Sequence, residues 1–164
     1  MSVTVDDYTT SKFILKDDAA VAYIQRLVDL LQDESALSSG YLSSDAYIDL
    51  IDYGDRAFKF VGRGFMDSGP ELRYSAVNKV EEESEEGDED EDYEDDYDPI
   101  YLFSEIQANL AEGGWFFVEN HASEKSYFSS RISLYHQNGK AEYSDSYEIK
   151  KEMLKKLGIS GKIE

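Results

Sequence analysis

Apolar residues recur every three or four positions after Asp17-Asp18, in the pattern of one helix face. The spacing predicts an amphipathic helix of about four turns that ends before Ser38-Ser39-Gly40. Asp17 and Asp18 suit its N-terminus, because a carboxylate there accepts backbone N–H bonds and complements the helix dipole. The apolar positions are Val21, Ile24, Leu27, Val28 and Leu31.

Two further helices are predicted in the second half of the chain. The first begins at Asp98-Pro99, a pair typical of an N-cap and a first helical position, and ends at Gly113-Gly114. Its apolar positions are Ile100, Phe103, Ile106 and Leu110. The second begins at Asp145, where Glu148 completes an acidic variant of the capping box, and ends at Gly158. Its apolar positions are Ile149, Met153, Leu154 and Leu157, and its polar positions include Lys150, Lys151, Lys155 and Lys156.

Two hairpins are predicted from short turn signals. Residues 46–53 and 56–62 flank Gly54-Asp55, which is typical of a two-residue turn between antiparallel strands. Residues 130–136 and 140–143 flank Asn138-Gly139, the strongest short hairpin signal in the chain.

Three other segments are predicted to be strands. Residues 12–15 form a short strand, and residues 115–118 form an apolar run typical of a buried strand. Residues 72–77 favour a third strand of the first half, with a short helix opened by Pro70 as the alternative.

This order of elements predicts an α+β fold: antiparallel strands in hairpins and meanders with three amphipathic helices, interrupted by an acidic loop. We divide the chain into an N-terminal α+β half (1–80), an acidic low-complexity tract (81–98) and a C-terminal αβββα half (99–164). The alternative is one compact domain into which residues 81–98 are inserted as a loop.

Length and composition set the class of protein. The chain has 164 residues, 41% of them hydrophobic, with 13 Tyr, 8 Phe and one Trp, which suffices for a packed core. No run approaches the ~18 apolar residues that a membrane helix needs, and residues 1–7 do not resemble a secretory signal. The chain has no cysteine, which excludes disulfides and thiolate chemistry. We therefore expect a protein of the cytoplasm.

The acidity is concentrated in one stretch of the chain. The net charge is −20, and residues 81–98, which we call the acidic segment, hold 14 of the 36 acidic residues and no basic one. The remaining chain has 22 acidic and 16 basic residues, a net charge of −6. Acidic residues four apart on a helix repel each other, so this composition favours a solvated loop over a helix.

The acidic segment is the partner-binding site that the sequence predicts. Two tyrosines four positions apart, Tyr93 and Tyr97, supply aromatic anchors within it. Its carboxylates are Glu81, Glu82, Glu83, Glu85, Glu86, Asp88, Glu89, Asp90, Glu91, Asp92, Glu94, Asp95, Asp96 and Asp98.

The histidines and glycines match no catalytic or nucleotide-binding motif. His121 and His136 lie 15 residues apart, which does not fit a His-x-x-x-His metal pair, and neither accompanies a nucleophile motif. His136 falls within a predicted strand, where a surface or hydrogen-bonded role is expected. Gly62-Arg63-Gly64 lacks the rest of a nucleotide-binding fingerprint and is interpreted as a turn or bulge.

A calcium-binding loop is also excluded. Asp88, Asp90 and Asp92 match its first three ligand positions, but Tyr93 stands where the loop needs glycine and Pro99 where it needs a bidentate glutamate. We therefore expect no catalytic residues, no metal site and no cofactor, and a protein that is not an enzyme.

The charge spacing of the acidic segment is close to that of nucleic acid. A helical form would carry one charge per ~2 Å, near the ~1.7 Å of duplex DNA, and an extended form one per ~4–5 Å. Either form fits a basic nucleic-acid groove, and screening over ~8 Å predicts that the contact weakens as salt rises. The same charge disfavours direct binding of nucleic acid.

In size and charge, the chain resembles the acidic DNA-mimic inhibitors of phages and mobile elements, of the anti-CRISPR and anti-restriction type. The resemblance implies a partner that is itself a basic nucleic-acid-binding protein, a CRISPR effector nuclease or a restriction enzyme, whose channel the protein occupies. Many such mimics spread their carboxylates over a folded surface, whereas this chain packs 14 into one segment. That difference favours a flexible anionic strand seated in a groove.

Two other functions fit the same composition. An immunity-type protein would neutralise a toxin through its folded surface, with Tyr41, Tyr47 or Trp115 as anchors. An acidic chaperone for histones or similar basic proteins would also use a flexible acidic segment with interleaved tyrosines.

Overall fold

An antiparallel sheet with helices packed on one face is the framework of the protein. The computed structural model describes residues 5–38, 42–66, 69–78, 99–124, 127–137 and 141–144. The strands there are β1 (Val5–Thr10), β2 (Phe13–Ile14), β3 (Leu42–Gly54), β4 (Ala57–Met66), β5 (Glu71–Leu72), β6 (Ile100–Tyr101), β7 (Trp115–Glu124), β8 (Tyr127–His136) and β9 (Ala141–Ser144). The helices are α1 (Asp18–Leu31), α2 (Tyr74–Val77) and α3 (Leu102–Ala108), and a 3₁₀ turn spans Glu34–Ala36. The α+β class with antiparallel strands is confirmed.

The main sheet joins residues from both sides of the acidic segment. Its strands run in the order β3-β4-β1-β7-β8-β9, and β2 pairs with β4 beyond the end of β1. All of these pairs are antiparallel. A second, two-stranded sheet consists of β5 and β6. Because β1 pairs with β7, strands that precede and follow the acidic segment share one sheet.

The predicted first helix is confirmed as α1. The Asp17 carboxylate accepts the N–H of Ala20 at 2.8 Å and so caps the N-terminus. The residues that α1 buries lie at helical spacing, which explains why the helix forms where the pattern indicates. They are Ala20, Ile24, Leu27, Val28 and Leu31.

The second predicted helix begins later and is shorter, so its predicted N-cap is wrong. α3 begins at Leu102, because Ile100 and Tyr101 pair with β5 and the N–H of Leu102 bonds to the carbonyl of Pro70 at 3.0 Å. Ile100 and Tyr101, which a helix starting at Asp98-Pro99 would have in its first turn, are therefore in a strand instead. At the other end the helix stops before Leu110, which forms a bridge with Leu15.

The predicted strand at residues 72–77 is also wrong. Only Glu71 and Leu72 are strand, and Tyr74–Val77 form the short helix α2. This helix turns Val77 into the core, where its side chain is 2% exposed.

The first hairpin is confirmed, but its turn lies one residue further on. Gly54 pairs with Ala57, so Asp55 and Arg56 are the two loop residues. Both have positive φ, 56° and 65°, as a type I′ turn requires. A register shift between Asp52 and Gly54 moves the turn away from the predicted Gly54-Asp55.

The strands of the second half are longer than predicted. β7 and β8 pair over all ten of their residues, and β9 pairs with the last part of β8. The predicted turn at Asn138-Gly139 and the predicted helix from Asp145 to Gly158 lie outside the described residues.

The bulge interpretation of Gly62-Arg63-Gly64 fits the structure. Gly64 has φ +89° in the middle of β4, and the register shifts in both neighbouring pairs at this level. A Cβ on Gly64 would lie 2.8 Å from the Cα of Ala46, so the strand approaches β3 too closely there for any side chain.

An aromatic cluster around Phe103 forms the centre of the core. The Phe103 side chain is 1% exposed, and α3 directs its ring into the middle of the sheet. Ring centroids lie 5.5 to 6.5 Å from it in five directions, several of them tilted or edge-on. The five rings belong to Tyr8, Phe60, Tyr101, Phe116 and Tyr135.

Phe103→Ala is expected to destabilise the protein by about 3–5 kcal/mol, because it leaves a cavity where five rings meet. Urea denaturation followed by circular dichroism measures the change. Tyr74→Ala is the matched control, since Tyr74 is 39% exposed, and it should cost less than about 1 kcal/mol. Equal losses in the two variants would contradict this view of the core.

Replacing the hairpin loop by Asn-Gly (Asp55→Asn with Arg56→Gly) is expected to raise the unfolding free energy by about 1 kcal/mol. The gain comes from relieving positive φ at two residues that disfavour it. The exposed ion pair between Arg56 and Asp18, at 3.0 Å, contributes little and its loss is minor. Arg56→Ala removes the same ion pair without relieving φ, so a stabilised Arg56→Ala variant would refute the explanation.

Candidate functional site

The residues predicted to contact a partner, those of the acidic segment, lie outside the described residues, as does Tyr41. Of the other predicted anchors, Tyr47 is 52% exposed on β3, and Trp115 is partly buried at the start of β7. The described structure therefore defines where the acidic segment is attached and which folded surfaces accompany it.

The chain leaves the described fold at the end of α2. Val77 is buried, and the guanidinium of Arg26 on α1 donates a hydrogen bond to its carbonyl. The N–H of Asn78 bonds to the carbonyl of Tyr74 at 2.8 Å. The last described residues before the acidic segment are thus held against α1.

The chain returns at Pro99, directly before β6. Ile100 pairs with Leu72, and Tyr101 pairs with Glu71, so the returning strand lies beside the strand that precedes α2. Both attachments of the acidic segment therefore belong to the small β5–β6 sheet and its adjoining turn of helix. Covalent geometry limits the reach of residues 79–98, fixed at both ends, to about 33 Å from that base.

Three tyrosines cluster next to the β5–β6 sheet: Tyr8 is buried, and Tyr101 and Tyr135 are partly buried. Tyr8 is 8% exposed, and its hydroxyl is hydrogen-bonded to that of Tyr101. A Cβ on Gly69 would lie 2.6 Å from the Tyr8 hydroxyl oxygen and 3.2 Å from that of Tyr101, so only glycine fits beneath the pair. Tyr135 packs flat against Phe116, with ring centroids 5.1 Å apart, and completes the cluster.

Burial keeps these hydroxyls protonated. It raises the pKa of Tyr8 well above its usual range, and the nearby Tyr101 and Asp6 raise it further. Burial also raises the pKa of Tyr101, with Tyr135 and Glu71 adding to the effect. The pKa of Tyr135 is raised by burial as well. All three hydroxyls are therefore neutral, and those of Tyr8 and Tyr101 are hydrogen-bonded to each other.

Tyr23 plays a similar part between the helices. Its hydroxyl donates to Oε1 of Glu105 at 2.8 Å, which links α1 to α3. Partial burial and then this hydrogen bond raise the pKa of Tyr23 to about 12.

The long strand β3 forms one edge of the main sheet. It is 13 residues long, and among the described strands it pairs only with β4. Tyr47 and Tyr53 are about half exposed, and Asp45 and Asp52 are exposed. The Tyr47 hydroxyl donates to the carboxylate of Asp49 at 3.2 Å, which raises the pKa of Tyr47.

A groove runs between this edge and α1. Its cavity volume is about 320 Å³. Its lining includes Val28, which is 3% exposed, Asp29 of α1 and Asp49 of β3. The remaining lining residues are Gln25, Gln32 and Leu50, so none of the six is basic.

Cations lie on the other side of the β3–β4 hairpin. The ammonium groups of Lys12 and Lys59 sit 4.9 Å and 6.0 Å from the ring centroid of Tyr53, within cation–π range. Lys12 also lines a second groove of about 310 Å³, between residues 11–14 and 111–115. Two lysines therefore flank the half-exposed ring of Tyr53, whereas the groove beside α1 has no cation in its lining.

The surface position considered for His136 is wrong, and the hydrogen bonding expected of a buried histidine is missing at its Nε2 among the described residues. The side chain is 6% exposed, and its Nε2 has no hydrogen-bond partner in the described structure. His136 pairs with Trp115, whereas His121 lies six residues further along β7, about 20 Å away. Among the described residues, no group of three or more His, Asp or Glu is placed to hold a metal ion.

The free energy of unfolding is expected to fall steeply above about pH 10. A tyrosine whose folded pKa is raised contributes its stability below the unfolded pKa of ~10 and loses it as pH rises towards the folded pKa. Each such tyrosine lowers stability by about 1.4 kcal/mol per pH unit in that range. Denaturation between pH 8 and 11, with tyrosinate absorbance, measures the effect. Tyr8→Phe should flatten the fall and the exposed control Tyr74→Phe should not; identical profiles would contradict the assignment.

Two further observations concern membrane-spanning helices and similarity to known proteins. Within the described ranges, no helix has the length and apolar character needed to cross a bilayer. Comparison with protein-family models, curated proteins and solved structures gives no match to this chain.

Proposed function

We propose that the protein is a non-enzymatic, acidic DNA mimic of the cytoplasm. It inhibits a basic nucleic-acid-binding protein, of the CRISPR effector or restriction enzyme class, by placing its acidic segment in the partner's nucleic-acid channel. The observation that carries the proposal is the segregation of charge: residues 81–98 hold 14 acidic residues and no base, against a net −6 for all other residues.

The attachment of the acidic segment supports this function. Both ends join the β5–β6 base, which is built into the core through Leu72 and Val77, 0% and 2% exposed. A polyanion fixed at two points loses less conformational freedom on binding than a free tail of the same composition. A reach of about 33 Å matches the length of about ten base pairs, at ~3.4 Å per phosphate along each strand, so the segment is long enough to extend into a channel shaped for a duplex.

The core supports it as well, because it does not depend on the acidic residues. The cluster around Phe103 consists of rings from β1, β4, β6, β7 and β8. Charge changes in the acidic segment are therefore expected to alter binding and leave folding intact.

An immunity-type protein that binds a toxin through its folded surface is the second candidate. The exposed anchors on β3, Tyr47 and Tyr53, favour it, because aromatic residues at the centre of an interface carry much of the binding energy.

Reversing four charges of the acidic segment (Asp92, Glu94, Asp95 and Asp96, each to Lys) is expected to abolish inhibition. The variant lowers the attraction to a basic channel but leaves the described core untouched. Partners captured from a lysate of the source cells are identified by mass spectrometry, and the displacement of labelled duplex DNA from the captured protein is measured at low and high salt. Wild-type inhibition by the variant would refute the proposal.

The matched control reverses four exposed acids of the fold: Asp18, Asp45, Asp55 and Glu112. It changes net charge by the same amount and should retain DNA displacement. If the control loses activity and the first variant keeps it, the folded surface carries binding and the immunity-type function replaces the proposed one. Circular dichroism of both variants confirms that each is folded.

A further inference from the structure

We propose that the groove between α1 and β3 docks an extended, basic segment of the partner protein. This segment adds a strand to the edge of β3 that pairs with no other described strand. This inference rests on the proposed function in one respect, the basic character of the partner. It assigns a second contact, made by the folded part of the chain and separate from the acidic segment.

The direction of the backbone groups on β3 is the first argument. The N–H of Phe60 donates to Oγ1 of Thr10 at 2.9 Å, on the side of β4 away from β3. Two opposed residues of an antiparallel pair either exchange backbone hydrogen bonds with each other, or both direct their N–H and C=O groups away from each other. Leu50 lies opposite Phe60, so its N–H and C=O point out of the sheet.

The same alternation applies along the strand. The backbone groups of Ile48 and Asp52 point outward with those of Leu50, at a spacing of about 6.8 Å, which is the repeat of an added strand. Ile48 and Leu50 direct their side chains to the core. Their backbone N–H and C=O groups at the edge of the sheet are therefore not covered by their own side chains.

The groove supplies space and charge at this edge. Asp29 lies on the α1 side of this edge, whereas the Asp49 side chain, which alternates with core-facing Ile48 and Leu50, lies on the opposite side. The lining of this 320 Å³ groove contains no cation. A lysine or arginine on the α1 side of an added strand would lie near Asp29, and one on the opposite side would lie near Asp49. Gln25 and Gln32 offer further hydrogen-bond partners on the α1 side.

The negative charge of β3 favours a basic strand over the other strands that could pair with this edge. β3 contains Asp45, Asp49 and Asp52 and no Lys or Arg, so pairing of two β3 strands from two copies would oppose like charges. A neutral strand would gain the backbone bonds alone. A basic strand gains both, and it is the kind of segment that a nucleic-acid-binding partner carries at its surface.

The test uses the full chain and a synthetic probe, a capped peptide of about nine residues that alternates lysine with valine. Backbone amide exchange of the protein is measured by NMR with and without the peptide. Protection is expected at Ile48, Leu50 and Asp52. A peptide of equal charge with proline at alternate positions lacks the donors for strand addition, so it should bind the acidic segment and leave these amides unprotected.

Two variants test the charge assignment. Asp29→Asn with Asp49→Asn should weaken binding of the lysine–valine peptide, followed by amide protection at β3, by about three- to tenfold, because two exposed charge pairs are lost. Asp18→Asn with Glu112→Gln removes the same net charge away from the groove and should leave it unchanged. Equal weakening in both, or equal protection by a peptide with glutamine in place of lysine, would overturn the proposal.

Other outcomes identify other occupants. Protection of β3 that grows with protein concentration without peptide would show that a second copy fills the groove, and would overturn the proposal. Peptide protection at β3 combined with full inhibition by the acidic-segment charge reversal would support the groove and refute the proposed function. If the charge reversal abolishes inhibition and the peptide gives no protection at β3, the proposed function is supported and the groove proposal is refuted.

Discussion

The ring of Phe103 is the contact on which the remaining structure depends. It meets rings from strands on both sides of the acidic segment: Tyr8 and Phe60 precede it in the chain, and Phe116 and Tyr135 follow it. Apolar burial of this kind is the main favourable term in folding, and ring geometry adds directionality. A 20-residue interruption is tolerated because its two ends converge on one side of this cluster, so the loop-closure cost grows only slowly with length.

The parts of the fold that follow from local pattern are those that the sequence predicts well. α1 and the β3–β4 hairpin are encoded by spacing and by turn residues within a few positions. The start of α3 is not, because pairing of Ile100 with Leu72 is a contact between residues 28 positions apart. Strand β1 escapes prediction for a different reason: its core-facing positions are Asp6, Tyr8 and Thr10, which show no apolar alternation.

The candidate sites divide in the same way. The acidic segment is visible in composition alone, because charge needs no tertiary structure to be counted. The groove beside β3 requires the juxtaposition of Asp29 on α1 with Asp49 on β3, which no local pattern contains. The alternation of Tyr47 and Asp49 with core-facing Ile48 and Leu50 is the only local sign that this strand has an exposed side. Both candidate contacts are acidic, and they suit one extended basic partner surface.

The position of β1 has a consequence for how the protein is made. One edge of β1 pairs with β4, but the other pairs with β7, more than 100 residues later. At ribosomal rates of about 5–20 residues per second, the second edge of the nascent strand stays open for roughly 5–20 seconds. Asp6 and Asp7 place charge on this open strand, and charges on an open strand edge discourage pairing with another chain. In the folded protein Asp7 instead accepts a hydrogen bond from the N–H of Gly64 at 3.0 Å. The polar composition of this central strand fits the interval before its partner exists.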